Sequence, residues 1–201
     1  HYGMTRLTGR TFPKTLDDGA TSQTIPEAPH RVVSLTVTSD EIFARILPPE
    51  RLVAVTPFAD DPAIETTAGL APKSATRVRG TDPEAIIALL PDLVFVAHYT
   101  LESGVKLLSA ASIPVVKLRD ARSYEDVAAN VRLAAGAVGE AARGEALLAG
   151  MRTRLAGLRE RTRGLPTPRV LYYSAVGYTS GKDTLMDEKI RLAGGRNAAA
   201  D

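Results

Sequence analysis

Gly80-Thr-Asp-Pro-Glu-Ala-Ile-Ile-Ala-Leu-Leu-Pro-Asp-Leu-Val94 is the stretch on which the fold turns. Asp82 can cap a helix, Pro83 suits its first position, and Glu84 sits where a helix start favours negative charge. The spacing predicts a helix to Leu90, ended by Pro91. Leu93-Val-Phe-Val96 then reads as a strand.

The same alternation extends in both directions. Upstream, Val32–Leu35 reads as a strand, Ser39 as the N-cap of a helix over 42–47, and Pro48-Pro49 as its stop. Leu52–Val55 is a second strand, and the Pro-rich stretch 56–80 reads as a long loop. Downstream, the pattern predicts a helix over 101–111 and a strand over 114–118. A capping box at Ser123–Asp126 then opens a helix to about Val138. Residues 140–163 read as one long helix. Leu147, Leu148, Met151, Leu155 and Leu158 recur on it at spacings of three and four, which makes one apolar stripe. A fifth strand is expected at Arg169–Tyr173 and a last helix at Leu185–Ala193. Residues 1–30 are polar and turn-rich, with Asp17-Asp18-Gly19 as one turn, and read as an arm with a short hairpin.

Strands alternating with helices imply an α/β fold: a parallel sheet flanked by helices. The expected organisation is an N-terminal arm (1–30), a first α/β lobe (31–138), a long interlobe helix (139–166) and a second α/β lobe begun but unfinished (167–201). A single βα unit cannot cover both faces of a sheet, so 169–193 either joins the first sheet or starts another.

Composition excludes several chemistries. Cysteine is absent, which removes disulfides, thiolate catalysis and thiolate-bound metals. The formal net charge of +2 is too small to point to nucleic acid. No run of about 18 apolar residues exists that could span a bilayer as a helix. The chain begins at His1 without a leader, which suits a mature or trimmed sequence. His1, His30 and His98 are scattered, with no metal-ligand spacing among them, so no metal site or cofactor is expected. Thr179-Ser-Gly-Lys-Asp183 resembles a phosphate loop only loosely. Three residues, not four, separate Gly177 from Gly181, and Asp183 follows Lys182 where a hydroxyl is required. An α/β enzyme acting on a phosphorylated substrate is the alternative kept open on that loop. No serine-nucleophile elbow is present.

What remains is a set of aromatic and basic residues at strand ends, where parallel sheets bind ligands. Phe58, Tyr99 and Tyr178 offer flat contact area, and Arg77, Arg79, Arg119 and Arg122 offer positive charge. Such a mouth suits a large, flat or chelated, partly anionic ligand.

Four stretches resemble the helical-backbone periplasmic binding proteins for siderophores, heme and cobalamin. They are Arg31–Glu41, Leu52–Pro62, Gly80–Val94, and the set Arg169–Leu171, Thr179–Lys182 and Leu192–Asn197. The third lies close to the family's N-x-E-x-I-x-x-L-x-P-D-L-V hallmark. The resemblance implies two α/β lobes joined by a rigid helix, with the ligand between them. It implies a non-enzymatic component of an ABC importer, periplasmic or otherwise extracytoplasmic, with a membrane anchor left open. By position it makes Thr36, Thr38, Phe58, Arg79, His98 and Tyr99 pocket-lining, and it makes Glu84 the carboxylate that docks on arginines of the permease. Tyr178 and Arg77 complete the expected ligand set. Val78 stands where some corrinoid binders carry a bulky aromatic, and no tyrosine nearby could ligate heme iron. Arg77 and Arg79 suit an anionic iron chelate, so a ferric siderophore is the first expectation, with cobalamin and heme next. A further expectation is pairing with another chain through the unfinished second lobe.

Overall fold

The computed structural model describes residues 5–17, 22–80 and 82–200. The turn at Asp17–Gly19 lies partly outside them. The chain divides into two compact units, His1–Arg119 with Val131–Gly144 and Asp120–Asn130 with Glu145–Asp201.

The first unit is built on five parallel strands. In chain order they are β4 (Val32–Ser34), β5 (Leu52–Val55), β6 (Thr76–Arg77), β7 (Leu93–Ala97) and β8 (Val115–Leu118). They lie side by side in the order β6-β5-β4-β7-β8. The chain steps outward one way from β4 through β5 to β6, and the other way from β7 to β8. The sheet therefore reverses direction of growth between β4 and β7. Every residue of β4 and β7 is buried, as parallel strands covered on both faces require. Phe43 of helix α1 (Val37–Ile46) meets Phe95 of β7 edge-on, with ring centroids 4.7 Å apart. Helices α2 (Pro83–Ile87) and α3 (Glu102–Ala110) contribute Ile86, Val105 and Leu108 to the core with Val33, Val94 and Val115.

The hallmark stretch does structural work that its spelling only hints at. Asp82 caps α2, its side chain accepting from the Glu84 N–H. Leu90 turns the chain out of the helix with φ 50°. The Arg31 guanidinium donates to the exposed carbonyls of Leu89 and Leu90. Asp92 returns the favour by accepting from the His30 and Arg31 N–H groups, at 2.6 and 2.9 Å. These two residues fix the register of β4 on β7.

The N-terminal segment is more than an arm with one hairpin. β1 (Arg6–Thr8), β2 (Lys14–Asp17) and β3 (Ser22–Ile25) form an antiparallel meander. Gln23 and Thr5 accept from the N–H groups of Val115 and Lys117, so the meander's side chains satisfy donors of edge strand β8. Lys14 is buried and donates to the Gly136 carbonyl of helix α4 (Tyr124–Ala137). Desolvation lowers the pKa of that lysine.

Four expectations are corrected. Helix α1 begins at Val37, capped by Thr36, because the Ser39 hydroxyl is buried against Ser34 and Thr36 O instead of capping. The loop 56–80 contains the turn of 3-10 helix Pro57–Asp60 and the edge strand β6. Helix α2 stops at Ile87, short of Leu90. The strand expected over 169–173 is only β9 (Arg169–Val170). It pairs in parallel with β10 (Arg196–Asn197) and does not join the five-stranded sheet.

Helix α5 spans Ala141–Thr162, 22 residues, roughly 33 Å at about 1.5 Å per residue. Its expected apolar stripe is its least exposed face. In the second unit, α6 (Leu185–Leu192) is capped by Thr184. Asn197 is buried and donates to Ser180 O and Asp187 Oδ1, while its own oxygen accepts from Ala199 N.

Candidate functional site

The reversal between β4 and β7 is a topological switch point, and the carboxyl ends of the strands beside it are where open α/β sheets bind ligands. Thr36 follows β4, and His98 with Tyr99 follows β7. Thr36 is buried and its hydroxyl is occupied by the Thr38 N–H, while Thr38 itself is exposed. The His98 and Tyr99 rings stack edge-on, with centroids 5.0 Å apart, and both side chains are exposed, Tyr99 at 76%. Phe58 rides on the turn after β5 and is 47% exposed. Thr56 caps that turn by accepting from the Phe58 N–H.

Arg77 is not available in the way the sequence implied. Its guanidinium grips Asp60 through two bonds, 2.9 and 2.7 Å, and donates to the Pro72 and Ala75 carbonyls. This fork holds the 60–77 loop closed and lowers the Asp60 pKa below the usual carboxylate range. Arg79 is exposed on the strand-end side of β6. Glu84 is exposed in the first turn of α2. Arg79 and Glu84, with Thr36, Thr38, Phe58, His98 and Tyr99, sit on loops or helix starts of the first unit, while Arg77 ends strand β6. Tyr178 belongs to the second unit, in a turn where its N–H donates to Ser174 Oγ, and its ring is 73% exposed. A cleft of that unit is lined by Tyr124, Arg152, Arg159 and Glu188, and no expected site residue lines it.

Beneath the Phe58 turn lies a feature not expected from sequence. Asp40, on α1, and Glu65, in the following loop, are both 2% exposed. Asp40 accepts from Thr56 N at 3.0 Å and Thr56 Oγ1 at 2.5 Å. Burial raises the pKa of both carboxyls, and the Asp40 charge adds to the rise of Glu65, to about 8. The signal that would have revealed Asp40 is its position on the buried face of α1 with Ile42, Phe43 and Ile46. An acid in an apolar stripe needs a partner or a proton. Glu65 offers no such periodic signal, because its neighbours are irregular.

Among the described residues, no cluster of three potential ligands could hold a metal ion, and no helix is long and apolar enough to cross a membrane.

Comparison with known proteins shows what the chain as a whole is similar to. A cobalamin-binding protein of Halobacterium salinarum is 30% identical over 194 residues, covering 95% of this chain and 52% of that protein. An ABC transporter substrate-binding lipoprotein of Bacillus subtilis, YvrC, is 27% identical over 212 residues, covering 94% of this chain and 62% of its own length. This chain thus spans about half the length of the first and under two thirds of the second. Among solved structures, the periplasmic heme-binding protein RhuT of Roseiflexus, in its apo form, superposes with a TM-score of 0.69 at 30% identity. That match covers 86% of this chain and 66% of RhuT. The family profile described as periplasmic binding protein matches residues 32–201, and the chain belongs to that family.

Proposed function

We propose that this chain carries the first ligand-binding face of an extracytoplasmic solute-binding protein. On this reading it takes up a metal chelate and delivers it to the permease of an ABC importer, without catalysing a reaction. The observation that carries the proposal is the reversal of the sheet between β4 and β7, with exposed Phe58, His98 and Tyr99 on the turns that follow β5 and β7. Flat aromatic edges with few committed charges suit a broad, rigid, partly apolar ligand.

Arg77 weighs on which chelate. With its guanidinium spent on Asp60 and two carbonyls, the mouth offers an incoming anion less charge than the sequence promised. That moves the balance from an anionic ferric siderophore toward a corrinoid or heme. The names of the Halobacterium and Roseiflexus relatives lean the same way. Arg79 keeps a ferric chelate in the same class of ligand. Glu84, exposed and placed where a helix start tolerates an outward carboxylate, is the proposed contact for permease arginines. Tyr178 enters the proposal through the family resemblance.

Titration of the parent protein with cobalamin, hemin, a ferric hydroxamate and a ferric catecholate, by calorimetry and visible absorbance, tests this. Saturable binding of at least one, weakened by Phe58→Ala and Tyr99→Ala, is expected. Indifference to all four would sink the reading.

A further inference from the structure

Asp40 and Glu65 are two acids buried together at the root of the loop that carries Phe58. Asp40 Oδ1 and Glu65 Oε1 have no hydrogen-bond partner, though neither touches water. Two ionised carboxylates so placed would repel, and each orphan oxygen would lack a donor. One proton between them removes both costs: the neutral acid donates and the carboxylate accepts.

We propose that Asp40 and Glu65 share one proton in a carboxyl–carboxylate latch that fastens the 56–69 loop, and with it Phe58, to α1. The latch has supports on each element around it. From the start of the loop, Thr56 donates to Asp40 through both its N–H and its hydroxyl. Further along the loop, the Thr67 hydroxyl donates to Glu65, and Gly69 N–H closes back on Ala59 O. From α1, the Glu41 carboxylate accepts from Thr66 N and Oγ1, and its charge raises the Glu65 pKa further. From β4, the Ser34 hydroxyl lies beside Asp40. From β6, the charge of Arg77 is felt by Asp40, but its hydrogen bonds go to Asp60. No cation therefore replaces the proton among the described neighbours.

The direction of the pH effect follows. Burial first, and the Asp40 charge second, raise Glu65 from an ordinary 4.5 to about 8. Between those values the folded chain holds a proton that the unfolded chain has released. The stability owed to the latch is thus full below the ordinary carboxylate range and is lost as pH rises through about 8. Above it the two like charges push the Phe58 loop off α1. Asp40 and Glu65 are thus positioning residues for the mouth. Their importance for ligand rests on the function proposed above, but the latch itself is tested without ligand.

The test compares the 201-residue chain with Glu65→Gln, which keeps a donor toward Asp40 but cannot ionise. Infrared spectra at about pH 6 should show a buried protonated carboxyl in the parent chain that Glu65→Gln lacks. Amide exchange across residues 59–69 should match in the two proteins at about pH 6. At about pH 9 it should run on the order of tenfold faster in the parent. Lack of the carboxyl band, or equal exchange at the higher pH, overturns the latch. Should Glu65→Gln fail to fold, Asp40→Asn supplies the same reading. It removes the like charge and leaves an amide that can donate to an ionised Glu65, so loop release on raising the pH should disappear, and release at the parent chain's midpoint overturns the proposal. A failed ligand panel would leave these outcomes untouched, and a failed latch would leave the ligand panel standing.

Discussion

Strands β7 and β9 open similar stretches of sequence, a short apolar run followed by a loop and a helix, yet they end in opposite surroundings. All five residues of β7 are buried between helices and paired on both sides. Both residues of β9 are exposed, and it pairs only with two-residue β10. The first unit is held by an aliphatic and aromatic core. In the second, Asn197 forms a polar pin that ties Ser180, Asp187 and Ala199 together. A strand's contribution is set by what covers it, not by its own hydrophobicity.

That contrast can be broken by substitution. The largest effect is expected for Phe95→Ala, which empties a fully buried ring site against Phe43 and should cost about 3–5 kcal/mol in urea unfolding. A loss under about 1 kcal/mol would mean that the sheet core is not what holds the first unit. Asn197→Ala comes next in the second unit. It strands a buried Asp187 oxygen and the Ala199 N–H, at a cost of about 1–3 kcal/mol read from the same unfolding curves. If Asn197→Ala proves neutral, the polar pin is not the second unit's anchor. Phe58→Ala should weaken ligand binding by about 1–2 kcal/mol while leaving stability within about 0.5 kcal/mol, because the ring is half exposed. Smallest of all, Val170→Ala on β9 should change the melting curve by less than about 0.5 kcal/mol. A larger loss would show that β9 is covered in solution.

Much of the first unit was legible because its signals are local. Asp82-Pro83 starts a helix and Pro91 closes the stretch by chain chemistry alone. Leu93–Val96 is too apolar to be anything but buried. The site was legible only in outline. Strand ends could be counted, so Thr36, Phe58, His98 and Tyr99 were placed after β4, β5 and β7, where the structure also has them. Whether a strand-end arginine faces outward could not be counted, because Arg77 turns onto Asp60, 17 positions earlier in the chain. β6 escaped notice for a related reason. Two residues carry no periodicity, and Thr76–Arg77 is a strand only because Ala54 and Val55 lie beside it. The meander of β1 to β3 likewise depends on distant partners, donors on β8 that its own residues do not reveal.

By itself, then, the sequence determined the alternation of strand and helix, the caps and stops, the long helix with one apolar stripe, and the kinship carried by residues 80–94. These are set by neighbours within a few positions, through dihedral preference, capping and the spacing of apolar side chains. Only the tertiary structure decided the strand order, the reversal between β4 and β7, the inward turn of Arg77, and the meeting of Asp40 with Glu65. Each of these joins groups separated by long stretches of chain. Whether a charge faces water or another charge is an outcome of packing, and packing is where a carboxylate acquires its proton.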